Sequence, residues 1–478
     1  VTEPLIWPTD APADWLTFHL AHPSPVGHEP FDPNAIFFWA GRYHFHYVYP
    51  SEDGLVWAHV SSPDLVHWTW HPTVLTRSAT RHELFSGSGF ITKEGRPAIL
   101  YASGNLDPAS RQLIGGLGPA QIAIALDDSL DSWSPPFAVD PQVGPDVDPR
   151  VIFPWDPHGW LDGDTYYAVF GGSGMHDNGG TPAAVITSPD LESWEHIGPL
   201  LTTDLPETKD DSDISCPEFF ALGGEHMLLC ISHSHGCRYY LGEWNGKQFT
   251  PTRHGRMNWQ ATPHALEWSG VDPAPSRNGG RAVFFAPETL LAPDGRRLMW
   301  AWCWLDGLQN GIQSIPRELS LPDDGILRMA PLRELEMLRS DEVRVTGIEV
   351  APTGTLVVDS VAGDTLECSI TIRYGSAHRF GVVVLCDSQG AGGLLIAVDT
   401  LANTLTVGDA EAPFTADPDS VTLRVFIDKA MVEVFADDRQ AVIGNQAHHP
   451  EDVHVGLFAD DRVLVDVAAW RLSSIYVG

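Results

Sequence analysis

Gly41-Arg42-Tyr43-His44-Phe45-His46-Tyr47 is a turn glycine followed by alternating aromatic and polar side chains, the period-two pattern of a strand with two unlike faces. The glycine-then-strand unit recurs at Gly95-Arg96-Pro97-Ala98, Gly163-Asp164-Thr165-Tyr166, Gly224-Glu225-His226-Met227 and Gly295-Arg296-Arg297-Leu298, with gaps of 54, 68, 61 and 71 residues. Before each glycine comes another short apolar run, so each pair predicts a hairpin: Asp32–Phe37, Ser86–Ile91, Asp148–Phe153, Cys216–Phe220 and Ala286–Leu290 supply the first strands. A third marker ends in tryptophan, as Ser62-Pro63-Asp64-Leu65-Val66-His67-Trp68, Asp128-Ser129-Leu130-Asp131-Ser132-Trp133 and Ser188-Pro189-Asp190-Leu191-Glu192-Ser193-Trp194. Five such repeats over residues 1–335 predict an all-β, five-bladed β-propeller, an arrangement that limits exposed sheet edges. Long amphipathic helical stretches are missing, which argues against parallel α/β enzymes.

After Pro331-Leu332-Arg333-Glu334-Leu335 the marker stops, and strands such as Gly381-Val382-Val383-Val384-Leu385 and Val421-Thr422-Leu423-Arg424-Val425-Phe426-Ile427 follow at short spacing. Residues 336–478 therefore read as a β-sandwich without visible chemistry of its own.

Of the 478 residues 43% are apolar and 19% charged, and Asp plus Glu total 63 against 28 Lys plus Arg. A net charge of -35 disfavours nucleic acid and anionic membranes as partners. No apolar run reaches the ~18 residues of a membrane span. No leader is visible, so the reading is cytoplasmic, or secreted if a leader was removed before Val1. The six cysteines are too sparse and irregular for a disulfide scaffold or a zinc ribbon and read as reduced thiols, with a Cys368–Cys386 bridge as the alternative.

In a propeller the first strands line the central channel. Aligning them on the shared proline gathers Asp32, Asp148, Cys216 and Ala286 at one level, with Asn34, Arg150, Glu218 and Glu288 two residues further on the same face. Like charges crowded in one cavity are costly unless used, and carboxylates in a funnel suit either divalent-metal binding or glycosidic cleavage. No complete metal-ligand loop exists; Asp210-Asp211-Ser212-Asp213 reads as a solvated run, so neither metal nor cofactor is expected. Trp7, Trp39, Trp57 and Trp68 offer flat apolar faces for sugars.

These stretches resemble glycoside hydrolase family 32, the invertases, inulinases and levanases. Phe31-Asp32-Pro33-Asn34-Ala35 is similar to its Asn-Asp-Pro-Asn-Gly segment, and Phe85-Ser86-Gly87-Ser88-Gly89, Phe284-Phe285-Ala286-Pro287-Glu288-Thr289, Ile315-Pro316-Arg317-Glu318-Leu319 and Phe426-Ile427-Asp428-Lys429-Ala430-Met431-Val432-Glu433-Val434-Phe435 are also similar. The resemblance implies a propeller with a C-terminal sandwich and a retaining β-fructofuranosidase acting on a fructan, fructooligosaccharide or related furanoside. It makes Asp32 the nucleophile and Asp148 the carboxylate of the Arg-Asp-Pro motif, with Val147 in place of the arginine. The family's Glu-Cys-Pro-Asp appears as Ser215-Cys216-Pro217-Glu218, and a serine hydroxyl is no proton donor at neutral pH. Glu288 or Glu218 is expected to replace the acid. Asn34, Phe85, Ser86, Arg150 and Trp57 are the expected sugar contacts. His28-Glu29-Pro30-Phe31 replaces the family's Trp-x-Asn, marking a divergent pocket. A fructosyltransferase or difructose-anhydride enzyme and a sugar-binding protein without turnover are the alternatives.

Overall fold

A computed structural model describes residues 3–7, 11–12, 14–22, 31–107, 113–172, 183–203, 205–208, 213–233, 235–259, 282–305, 308 and 311–477. The chain is all-β: among the described residues helix is confined to one turn, Arg77–Thr80, and two 3-10 segments, Pro149–Val151 and Arg333–Leu338. It divides into two compact units, Val1–Leu5 with Ser24–Arg256 and Phe285–Trp302, and Ile6–Pro23 with Met257–Phe284 and Cys303–Gly478.

The first unit contains the repeat. Pro33–Trp39, Arg42–Ser51, Gly54–Ser62 and Thr69–Trp70 form an antiparallel meander edged by Glu3–Pro4. The next sheets follow the same order: Glu83–Ile91, Pro97–Gly104, Gln121–Ile124 and Phe137–Ala138; then Trp155–Asp162, Thr165–Gly171, Ala184–Ser188 and Trp194–Pro199; then Ser215–Leu222, Glu225–Ser232, Gly236–Trp244 and Phe249–Arg256. Apolar side chains of one sheet pack on those of the next, as where Phe90, Leu100 and Ile122 meet Tyr166, Ala168 and Ile186.

The tryptophan marker has a physical reading. Asp64 accepts hydrogen bonds from the Val66 and His67 amides, and Asp190 from those of Glu192 and Ser193, each closing a tight turn through its side chain. Leu65, Leu130 and Leu191 all adopt φ between 57 and 70° at the bend. The indoles of Trp133 and Trp194 then donate to the Leu130 and Leu191 carbonyls, at 3.0 and 2.8 Å. The ring thus fills the sheet interface while its one polar atom stays satisfied.

One expected strand is displaced. Asp148–Phe153 does not form the first strand of the third repeat; Pro149–Val151 is a 3-10 turn and the strand is Trp155–Asp162, which pairs with Thr165–Gly171. The other four first strands lie where the repeat predicts them, within Pro33–Trp39, Glu83–Ile91, Ser215–Leu222 and Ala282–Leu291.

In the second unit two six-stranded sheets share one apolar core, with Cys368, Ile370, Val425 and Val434 of one facing Val382, Val384, Ile396 and Val455 of the other. None of the six cysteines is in a disulfide, and Cys368 and Cys386 lie on different sheets. Asp428 and Glu433, from the Phe426–Phe435 stretch, have a definite task here. Asp428 accepts from the Thr17, Phe18 and His19 amides and faces His19 Nδ1 at 2.8 Å, while Glu433 Oε1 lies 3.2 Å from His19 Nε2 and accepts from the Ile315 amide. Burial works against a charged His19, but its hydrogen bonds to Asp428 and Glu433 and their charges raise it from 6.5 to about 9. A raised folded value makes this contribution complete below pH 6.5 and lost as pH climbs through about 9. Denaturant unfolding of wild type minus His19→Gln should therefore show a stability difference that shrinks by on the order of 3 kcal/mol across that window. A pH-independent difference would mean that His19 is not charged in the fold.

Candidate active site

The first strands begin with a bulge. Register shifts fall between Pro33 and Ile36, Leu84 and Gly87, Trp155 and His158, and Ser215 and Glu218. Asp156 and Cys216, inside two of these bulges, and Ala286 on the fifth first strand share φ of 43 to 45°. Left-handed backbone at non-glycine residues costs about 1–3 kcal/mol each and persists where side chains must be re-aimed.

Asp32 is 8% exposed, and its Oδ2 accepts from Ser86 Oγ at 2.5 Å. Asn34 links the same two strands, donating to the Asp32 carbonyl and accepting from the Gly87 amide at 2.8 Å. Burial pushes the Asp32 carboxyl up to about 7; the Ser86 hydrogen bond opposes this, nearby Asp156 adds to it and His233 opposes it. Asp156 is buried as well, and burial carries it to about 6 although its Oδ2 accepts from the Cys216 amide at 3.0 Å and from the Cys216 thiol at 3.3 Å.

Next to this pair stands Asp213. Its Oδ1 accepts from Ser215 Oγ at 2.8 Å, and its Oδ2 accepts from the His233 amide and faces His233 Nδ1 at 2.7 Å. Ser215 is fully buried and also accepts from the Trp155 indole at 3.0 Å. Burial disfavours a charged His233, but the hydrogen bond to Asp213 and the charges of Asp213, Asp156 and Asp32 hold it above its ordinary value. One imidazole therefore faces three acidic side chains.

Glu218 and Glu288 form a second buried group, on residues that follow Cys216-Pro217 and Ala286-Pro287. Burial and neighbouring Glu218 push Glu288 well up, so Glu288 keeps its proton. Burial also opposes charge on Glu218, yet His158 Nδ1 at 2.6 Å, Thr289 Oγ1 at 2.8 Å and the bond shared with Glu288 hold its carboxyl below the ordinary value. Arg297, stacked 4.2 Å over Phe220 and donating to Thr289, adds positive charge. The contacts of this pair run to each other, His158, Thr289 and the Gly89 backbone rather than to the Asp32 group.

Asp148 and Arg150 do not join either group. Their side chains are 39% and 56% exposed, and the two pair with each other at 2.6 Å across the 3-10 turn. The Asp-Pro that lies on the strand is Asp156-Pro157, preceded by Trp155. Hairpin spacing carries that signal: Pro33, Pro217 and Pro287 precede Gly41, Gly224 and Gly295 by seven or eight residues, Pro157 precedes Gly163 by six and Pro149 by fourteen. Trp57 is corrected too: it is fully buried in the apolar core beside Leu84 and Tyr101 and donates to the Phe85 carbonyl, so its face is closed to sugar. Trp68 is likewise buried, and Trp7 packs edge-on against Tyr476 in the second unit. Phe85 remains half-buried. Asp213, expected in a solvated run, is 7% exposed, whereas 210–212 and 28–30 lie outside the described residues. His233 had no signal in the repeat, because it follows a second strand rather than a first.

Residues 22–331 match the model of the glycosyl hydrolases family 32 N-terminal domain, and residues 334–471 that of the family 32 C terminal. The chain belongs to glycosyl hydrolases family 32. Relatives of this family 32 chain include a sucrose-6-phosphate hydrolase of Escherichia coli, 25% identical with 95% of this chain and 94% of that protein covered, and a raffinose invertase of Escherichia coli, 24% identical over the same shares. Among solved folds, fructan 1-exohydrolase IIa from Cichorium intybus superposes with a TM-score of 0.74 at 18% identity, covering 97% of this chain and 98% of the other. Sucrose-6-phosphate hydrolase from Lactobacillus gasseri gives 0.75 at 18% identity, covering 97% and 94%. Among the described residues no helix of the family 32 chain is long and apolar enough to cross a membrane.

Proposed function

We propose that this chain is a retaining β-fructofuranosidase whose nucleophile is Asp32, forming and then releasing a fructosyl ester. The observation that carries the reading is the buried Asp32–Ser86 hydrogen bond with Asp156 as charge neighbour, since a nucleophile and a second carboxylate on separate strands suit a furanosyl cation developing between them. Asp156 takes the role that the sequence reading gave to Asp148, holding sugar hydroxyls in the transition state. His233⁺ donates the proton to the leaving oxygen and takes one from water in the second half-reaction; Asp213 orients it and balances its charge. Asn34 and Ser86 fix Asp32, and Phe85 borders the sugar. Glu288 and Glu218 form a fixed hydrogen-bonding floor. The hairpins are the blades of a five-bladed propeller, and the domain border falls at 335/336.

Three carboxylates against one imidazolium repel anions, so the substrate is an uncharged fructoside and not a sugar phosphate. Incubation with sucrose, sucrose-6-phosphate, inulin and levan should release free fructose from at least one uncharged substrate, with the phosphate ester turned over at least ~10-fold less efficiently. A cyclic or transferred product would make the chain a transferase. Binding without turnover would support the second reading, a sugar-binding protein, which rests on the closed Trp155–Ser215–Asp213 contact where the family carries its acid.

A further inference from the structure

The first sheet buries a histidine cluster that the catalytic reading does not use. His44 on Arg42–Ser51, His59 on Gly54–Ser62 and His71 just beyond Thr69–Trp70 each bring one ring nitrogen within 4.8 Å of the others. His44 is 1% and His59 2% exposed, and the His71 side chain is 5% exposed. We propose that His44, His59 and His71 form a transition-metal site suited to zinc, oriented by Asp131.

Asp131 supplies the orientation. Its Oδ1 lies 3.2 Å from His59 Nδ1 and 2.9 Å from His71 Nδ1. An ionised carboxylate only accepts, so both histidines carry hydrogen on Nδ1 and present bare lone pairs at Nε2, the tautomer that a carboxylate–histidine–metal arrangement needs. His59 Nε2 faces His44 Nδ1 at 2.9 Å, and His71 Nε2 faces Ser61 Oγ at 2.8 Å. His44 Nε2 is buried without a hydrogen-bond partner. If His44 donates from Nδ1 to His59, that Nε2 is an unsatisfied buried acceptor; in the other tautomer Nε2 carries the hydrogen and two bare nitrogens face each other at 2.9 Å, which a cation held between them would satisfy.

Three imidazoles with a hydroxyl or water in fourth place form a zinc donor set with nitrogens about 2.0–2.1 Å from the ion; His59 and His71, stacked at 3.9 Å, must turn out of that stack to converge on it. Arg42, which donates to Ser61 Oγ at 3.0 Å, opposes the cation, and Asp131 offsets it. The ion would tie strands of the first sheet to the turn of the second that carries Asp131. His46, stacked on His59 at 4.2 Å and bound to the Ala35 carbonyl, extends this bracing to the strand bearing Asp32. The role is structural and departs from the metal-free expectation drawn from sequence.

Chelator-stripped wild-type protein titrated with Zn²⁺ alone should bind one equivalent and melt several degrees higher. Co²⁺ should give the intense visible bands of a tetrahedral nitrogen site. His71→Gln should weaken Zn²⁺ binding by more than ~100-fold, and Asp131→Asn by roughly 10- to 100-fold. Substoichiometric binding by wild type in excess Zn²⁺, weak octahedral Co²⁺ bands, or binding unchanged in His71→Gln would overturn the site. The wild-type titration and spectrum decide the matter even where a variant does not fold.

Discussion

Asp32→Asn should lower kcat/KM by roughly 10⁴-fold or more, since the amide cannot form the fructosyl ester and the remaining groups only bind and polarise the sugar. The same substitution should raise the melting temperature at pH 8. Asp32 titrates near 7 in the fold against 3.8 when free, so the folded state retains a proton that the unfolded chain has lost between those values. Stability therefore falls as pH rises from 3.8 to about 7 and stays at its lower value above it, and asparagine, which still accepts from Ser86, removes that penalty. A nucleophile must be ionised, so wild-type kcat/KM should drop about tenfold per pH unit below about 7. Burial is the physical reason for so high an acidic limb, and His233 is the charge that lowers both Asp32 and Asp156. Activity in Asp32→Asn within tenfold of wild type would exclude the ester mechanism.

The repeat was legible in sequence because hairpins announce themselves locally, by a glycine with positive φ such as Gly41 or Gly163 and by the Asp-x-x-x-Trp turn whose bonds close within seven residues. That Asp32, Asn34 and Ser86 come together was legible for a related reason: each sits in a stretch whose neighbours resemble the family. What was not legible depended on the bulges. A period of two assigns faces along a regular strand, but the kinks at Asp156 and Cys216 add a residue and turn the side chain before the proline inward. Asp148-Pro149, a turn with the same letters, then competed with Asp156-Pro157. Asp213 and His233 reach the site through a side-chain pair formed across 20 residues, and no local pattern encodes that meeting. His44 and His46 look like ordinary alternation in Arg42–Tyr47, and only strand pairing sets His59 beside His46 and brings His71 to the same place.

The proton donor is the sharper question, because the resemblance sets Ser215, which is no acid at neutral pH, where the family's acid is expected. Glu288 has the proton and the burial for the task, but its bonds to Glu218 and the Gly89 backbone give it a satisfied resting place apart from the Asp32 group. His233 is held above its ordinary value, lies 2.7 Å from Asp213 and feels both Asp32 and Asp156. Fructosides with a poor alkoxide leaving group need protonation for bond cleavage, while activated aryl fructosides do not. His233→Gln and Asp213→Asn should accordingly lose about 10²- to 10⁴-fold on the poor leaving group and far less on the aryl substrate. Glu288→Gln should lower both by similar factors, since it disturbs only the floor of the pocket. The basic limb of the wild-type profile should lie above the ordinary histidine value of 6.5, and Asp213→Asn should move it down, because the carboxylate that holds the imidazolium is gone. A leaving-group-selective loss confined to Glu288→Gln would return the acid to the Glu218–Glu288 pair and leave His233 as a positioning residue for Asp32.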